Sequence, residues 1–233
     1  MVEIAMQAGA APRPRQPLSR ERILAAAVAL ADDGGVAALS MRKIAGSLGV
    51  VPMALYKHVA NKDELLDGMI DAVVGEIDPP AAGVDWKAAV RRRVLSARRM
   101  LLRHPWASGV IEARMKARSA PTPAVLGYLD SMIGIFRAGG FPLDLVHHAM
   151  HIMGSRVLGF SQELFEDTPG GEPDPDALPP EEMAARYPHV TELAMAVAHD
   201  AESVVGAGCD DQLEFEFALD LMLDGLERLR DAA

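Results

Sequence analysis

The chain has 233 residues, 50% of them hydrophobic, which suits one domain or a small domain joined to a larger one. Its net charge of −10 taken alone argues against nucleic acid, and its single cysteine, Cys209, excludes a disulfide framework and a cysteine-based zinc site. No apolar run is long enough to span a membrane and no signal peptide is expected, so the sequence points to a cytoplasmic protein.

The charge is unevenly spread. Residues 1–62 hold 8 Lys and Arg against 4 Asp and Glu, a net of +4, whereas residues 63–233 hold 15 against 29, a net of −14. A basic head on an acidic body is the pattern of a DNA reader joined to a separate sensor.

Residues 1–18 are small and proline-rich and read as a flexible arm, either a plain tail or, through Arg13 and Arg15, a strand along a minor groove. Ser19 can cap a first helix with Ile23, Ala27 and Leu30 inward, stopped at Asp32-Asp33-Gly34-Gly35. Ser40 can cap a second, whose buried face is Ile44 and Leu48. Gly49 then supplies the left-handed turn, and Pro52 opens a third helix pinned by Leu55 and Val59. Two short helices joined by a glycine-bearing turn predict a helix-turn-helix, whose second helix enters a major groove.

The exposed residue types fit that task. Tyr56, Lys57 and His58 are donors, while Pro52, Met53 and Ala54 are compact enough to lie against a base methyl or a sugar. Ser40, Arg42 and Lys43 on the first helix of the pair, and Lys62 after the second, are placed for phosphates. Asn61 and Glu64 have capping-box spacing and start a fourth helix, with Leu65, Met69, Ala72 and Val73 inward, running to about Ile77. Asp78-Pro79-Pro80-Ala81-Ala82-Gly83 breaks the chain, dividing a DNA-binding head at 19–78 from a body at 84–233.

From Ser19 to about Ile77 the chain closely resembles the DNA-binding domain of the TetR family of transcriptional repressors. The run Leu55-Tyr56-Lys57-His58-Val59, followed by Asn61-Lys62-Asp63-Glu64-Leu65-Leu66, is its most specific signature. The resemblance implies a homodimeric repressor released from operator DNA by a small molecule.

Beyond the break the pattern stays helical, so an all-α fold is expected. Trp86, Val90, Val94, Ala97 and Leu101 form one stripe; Arg91, Arg92, Arg93, Arg98, Arg99 and Arg103 read as a solvated face paired with acidic residues. Further helices are expected to about Arg118, from Pro123 through Leu126, Leu129, Ile133 and Phe136, and from Pro142 through Val146, Met150, Met153, Val157 and Phe160. An acidic loop at 167–176 precedes a helix from about Pro180 to Asp200 and a last one from Asp210 to Arg230. That last helix is apolar on two sides, with Leu213, Phe217 and Leu221 on one and Phe215, Leu219, Met222, Leu226 and Leu229 on the other. Interspersed acids argue against full burial, so a dimer interface is expected there. Around Gly140-Phe141, Val157-Leu158-Gly159 and 217–227 the body resembles the tetracycline-repressor subtype of sensor. That likeness implies pairing through Val157, Leu158, Leu219, Met222, Leu223 and Leu226 in a four-helix bundle.

Met100, Trp106, Met115, Met132, Met150 and Phe160 offer an apolar pocket wall, with His147, His151 and Glu163 as polar groups. His147 and His151 stand at a metal-ligand spacing, but no third ligand is fixed by sequence, so no metal or cofactor is expected. The resemblance puts Glu163 where tetracycline-sensing members place an acid near their ligand-bound magnesium. Around Ile111-Glu112-Ala113-Arg114, however, the chain lacks their metal-binding histidine, which points to a different, mostly apolar effector. No phosphate loop, nucleophile elbow or activated cysteine is present, and a di-iron arm at Asp144 and His147 lacks its second half, so no enzyme is expected.

Overall fold

The computed structural model describes residues 17–117, 120–158, 179–197 and 211–233, and among them every regular element is helical. The order is α1 (Arg20–Gly34), a 3-10 turn (Val36–Ala38), α2 (Met41–Leu48), α3 (Pro52–Leu55), α4 (Lys62–Val74), α5 (Trp86–Arg103) and α6 (Trp106–Lys116). Then follow α7 (Pro123–Ala138), α8 (Leu143–Leu158), α9 (Pro180–Arg186), α10 (Pro188–Val197) and α11 (Asp211–Asp231).

Two compact units result. Of the described residues, the first joins those up to Gly75 with those from Arg103 to Ala124; the second holds Glu76–Leu102 and those from Val125 on. The sequence-based division placed 103–124 in the body, but contacts group it with the head. The reason is local: the Trp106 indole N–H donates to Asp32 at 2.7 Å and the His104 Nδ1 lies 2.8 Å from the same carboxylate. Arg114 pairs with Asp67, and the Ala124 N–H donates to Asp71. Neither partner lies near in sequence.

The first unit's core is Ile23, Leu24, Ala27, Ala31, Leu39, Ile44, Ala45, Leu55, Val59, Leu65 and Met69. Leu30, expected inward on α1, is only half-buried, and Ala31 takes its place. On α4 the inward set is Leu65, Met69, Ile70, Val73 and Val74, whereas Ala72 is exposed. Its start is tied as the capping-box spacing predicts: the Asn61 side-chain Oδ1 accepts from the Glu64 N–H at 2.8 Å. Glu64 returns a carboxylate to the N–H of Ala60, one residue earlier than the usual box.

The second unit's core is built from Val90, Val94, Met132, Phe136, Phe141, Val146, Ala149, Met153, Phe215, Leu219, Leu223 and Leu226. At the end of α7 a Cβ on Gly139 would stand 2.6 Å from that of Trp86, so glycine lets the indole seat against Phe141 at a ring separation of 4.6 Å. On α7 the buried stripe is Met132 and Phe136; Leu126 and Ile133, expected inward, are exposed. On α5 Met100, not Leu101, closes the stripe. The single helix expected over 180–200 is two, because Pro188 removes a backbone donor and holds Tyr187 at φ −133° and ψ 64°, outside helical space.

Candidate nucleic-acid interface and sensor core

The reading pair is built by local chemistry. Ser40 sits extended (φ −146°, ψ 150°) and its hydroxyl accepts from the Lys43 N–H at 3.2 Å, satisfying one orphan donor of α2. Gly49 adopts φ 66° and ψ 34°, a left-handed conformation that a side chain disfavours, and the Val50 N–H then closes onto the Ala45 carbonyl at 3.0 Å. Val51 is extended and Pro52 occupies the first turn of α3. Ile44, Ala45, Leu55 and Val59 are each at most 1% exposed, so both helices are clamped from beneath.

What remains outside is the candidate DNA face. Met53 is 73% exposed and Tyr56 46%; Pro52, Lys57, Lys62, Arg42, Lys43 and Ser40 are exposed, and Ala54 and His58 half-exposed. Regular α3 ends at Leu55, so Tyr56, Lys57 and His58 project from the turn that follows it. Sequence reasoning passed over Val51, which is 68% exposed beside Met53. The available signal was its place directly before a helix-opening proline, where it is extended and lies outside the helix that Leu55 pins.

In the second unit the arginine run of α5 divides. Arg91 donates to Asp220 and Glu216 of α11 at 2.8 and 2.6 Å, and Lys87 reaches Glu227 at 2.8 Å and pairs with Asp224. Arg98 pairs with Asp211, and its guanidinium lies 4.3 Å from the centre of the Phe215 ring. These bear out pairing with acidic residues. Arg93 departs from the solvated-face expectation. It is 5% exposed, donates to the Asp78 carbonyl and, at 2.6 Å, to Ser131 Oγ, and lies over the Tyr128 ring at 4.9 Å. Burial lowers its pKa and pushes the Tyr128 hydroxyl up to about 12. Asp78 is held further by Ser96, whose hydroxyl accepts its N–H at 2.9 Å, and by Arg99 at 2.7 Å.

The expected pocket residues do not gather as one set. Trp106 and Met115 belong to the first unit, Met115 being 63% exposed. Met100 and Met132 are buried in the second unit and Met150 packs beside its core, whereas His147 and His151 are exposed on α8. Phe160 and Glu163 lie outside the described residues. An open hollow lined by His151, Ile152, Ser155, Arg156 and Met222 runs between α8 and α11. The expected interface set needs a correction: Leu219, Leu223 and Leu226 are at most 2% exposed within the protomer and cannot reach a second chain. They face Val90, Phe136 and Met153 across the core, which claims that side of α11. Met222, Val157 and Leu158 are half-buried. The outward apolar residues are instead Leu213, Phe217, Leu221 and Leu229, at 38%, 44%, 55% and 57% exposure.

Residues 23–69 match the family described as bacterial regulatory proteins of the tetR family, and residues 79–230 match the tetracyclin repressor-like C-terminal domain. The chain belongs to the TetR family of transcriptional regulators. Members of this family are DNA-binding transcription factors, not enzymes. The chain is 37% identical over 130 residues to an HTH-type transcriptional regulator of Saccharopolyspora erythraea, covering 55% of itself and 53% of that protein. It is 30% identical to the class G tetracycline repressor protein of Vibrio anguillarum, over 92% of this chain and 96% of that one. Among solved structures, Streptomyces coelicolor ActR in complex with actinorhodin superposes with a TM-score of 0.61 at 25% identity, over 92% and 99% of the two chains. Among the described residues no helix is long and apolar enough to cross a membrane.

Proposed function

We propose that this TetR-family protein is a cytoplasmic homodimeric repressor that binds a palindromic operator through residues 40–62 and is released by a small, mostly apolar effector. The observation that carries the reading is the clamped helix pair. Its inward residues are sealed, while Tyr56, Lys57, His58, Arg42 and Lys43 stand on the open side as donors without a structural task. A head at 19–78, with 103–124 grouped beside it, reads DNA, and the rest of the body within 84–233 senses and dimerises. The outward apolar face of α11, Leu213, Phe217 and Leu221, is the pairing surface, since exposed apolar stripes of this kind mark interfaces. The apolar side chains around Met132 and Met150 support an apolar effector, as do the relatives: repressors named for tetracycline and a regulator solved with actinorhodin.

The test uses a duplex selected by the full-length protein from random sequences, and from the DNA flanking its own gene. Retarded, palindromic fragments are expected. Tyr56→Ala or Lys57→Ala should weaken binding by about 1–3 kcal/mol at matched salt with unfolding unchanged. Equal affinity in both variants would remove this segment as the reader, and a wild-type monomer in sedimentation at micromolar concentration would remove the palindrome.

A further inference from the structure

The described methionines divide by what they do. Met69 is sealed in the first unit, and Met100, Met132 and Met153 in the second, all at most 3% exposed. Met41, on α2, packs against the head core. Met53 is different: it is 73% exposed and packs in neither core. It lies in the first turn of α3, directly after Pro52, while Leu55 two residues on is fully buried and holds the helix from beneath. Val51 and Tyr56, at 68% and 46% exposure, stand on either side of it in the chain. Val51, Pro52 and Ala54 carry no side-chain hydrogen-bonding group, so this end of the reading pair presents an apolar face with a thioether at its centre.

We propose that Met53 is a modification site: oxidation of its thioether to the sulfoxide by a peroxide switches operator binding off. The inference rests on residues 40–62 as the DNA reader. In the reaction the sulfur lone pair attacks one oxygen of hydrogen peroxide, and the O–O bond breaks as the S–O bond forms. The leaving hydroxide takes the proton from the sulfur-bound oxygen and departs as water, so sulfur loses two electrons and the peroxide gains them. The consequence falls on the complex and not on the fold. In the unbound protein the new oxygen stands in water, because the side chain is already exposed. Against a base methyl or a sugar it becomes a desolvated acceptor without a donor, and against a phosphate it sets one electronegative oxygen against another. In a homodimer that loss occurs once in each half-site. Exposure also sets the selectivity: the sealed methionines are closed to the oxidant, and Met115 and Met195, at 63% and 73% exposure, lie outside the reading segment. Methionine sulfoxide reductases return the thioether, which makes the switch reversible.

The test uses full-length protein carrying Cys209→Ser, which removes the single thiol. It is treated with hydrogen peroxide until peptide mass spectrometry finds Met53 as the sulfoxide, and its affinity for the selected duplex is compared with that of untreated protein at matched salt. A loss of at least about tenfold is expected, with the urea midpoint unchanged and with recovery after methionine sulfoxide reductase. Met53→Leu, measured against its own untreated affinity, should be insensitive to peroxide, while Met115→Leu should respond as the parent does. Bound duplex should slow oxidation of Met53. Full conversion of Met53 with affinity retained, or a Met53→Leu variant that loses affinity as steeply as the parent, overturns the assignment. Duplex protection of Met53 together with an undiminished affinity of its sulfoxide sinks the switch and leaves the reader in place. Equal reactivity of Met53 with and without duplex, joined to unchanged binding by Tyr56→Ala and Lys57→Ala, removes the reader and the switch together.

Discussion

The reading pair at 40–59 and the final helix α11 are both amphipathic helical segments, yet only the first declares its inward side in its own sequence. In the pair, cap, turn glycine, opening proline and apolar spacing agree within twenty or so residues, and each does in the structure what its chemistry favours. In α11 two apolar stripes compete for the same core, and the winner is chosen by residues far away in sequence. Phe215, Leu219, Leu223 and Leu226 turn inward. Arg91 and Lys87 of α5 then hold the flank of α11 through Glu216, Asp220, Asp224 and Glu227. Local grammar therefore fixes the head, and long-range pairing fixes the body.

The largest expected effect separates the two sides of α11. Leu219→Arg places an unpaired guanidinium where the wild-type residue is 0% exposed, and should destabilise the protein by about 4 kcal/mol or more in urea unfolding. Phe217→Arg, at 44% exposure, should leave unfolding within about 1 kcal/mol and act instead on dimer formation. Were Leu219→Arg to stay folded and merely dissociate, the inward assignment would be wrong and the two stripes would have to be exchanged.

The next effect concerns Arg93. Its replacement by Met keeps an unbranched stem but removes the donors to the Asp78 carbonyl and Ser131 Oγ. Ser131 Oγ keeps its bond to the Tyr128 carbonyl, so the loss is that of the charged arginine donors and should cost about 1.5–3 kcal/mol, read as a shift in the urea midpoint. A shift below about half a kcal/mol would mean the arginine is dispensable packing. The same residue shows where sequence reading stops. Six arginines on α5 look alike in composition, and only the fold puts Ser131, Tyr128 and Asp78 around one of them. The same applies to 103–124, whose membership in the head unit hangs on Asp32, Asp67 and Asp71, and to α11, whose outward apolar residues could not be told from core residues by periodicity. By contrast Ser19, Ser40, Asn61, Gly49 and Pro52 were legible because caps and turns obey local rules.

A smaller effect tests that local grammar directly. Gly49→Ala adds a Cβ that meets nothing within 4 Å, so any penalty comes from the backbone at φ 66° alone. The expected loss is about 1–2 kcal/mol of stability. A neutral result would show that the turn relaxes to another conformation, and operator affinity would then fall through geometry instead.

The smallest effect belongs to the charged seam between α5 and α11. Gln212 donates to Glu216 at 2.5 Å and Arg91 at 2.6 Å, and together they hold the Glu216 carboxyl below its ordinary range. A carboxylate whose pKa is depressed on folding contributes stability that is fully present above its unfolded value and is lost as the pH falls through the folded value. The window therefore lies in the acid region, and near neutrality the contribution is constant. Both side chains are about a third exposed, at 36% for Arg91 and 34% for Glu216, so solvent screens the pair and its worth is below about 1 kcal/mol. Glu216→Gln keeps the length and removes the charge. At neutral pH and low salt the variant should unfold slightly more easily than wild type, and the gap should close both in about 1 M salt and as the pH is lowered into the carboxylate range. A gap of the same size at every pH and salt concentration would mean that the contact works by packing. The seam would then fix α11 by shape and not by charge, and the long-range pairing that distinguishes body from head would rest on Phe215 and the leucines alone.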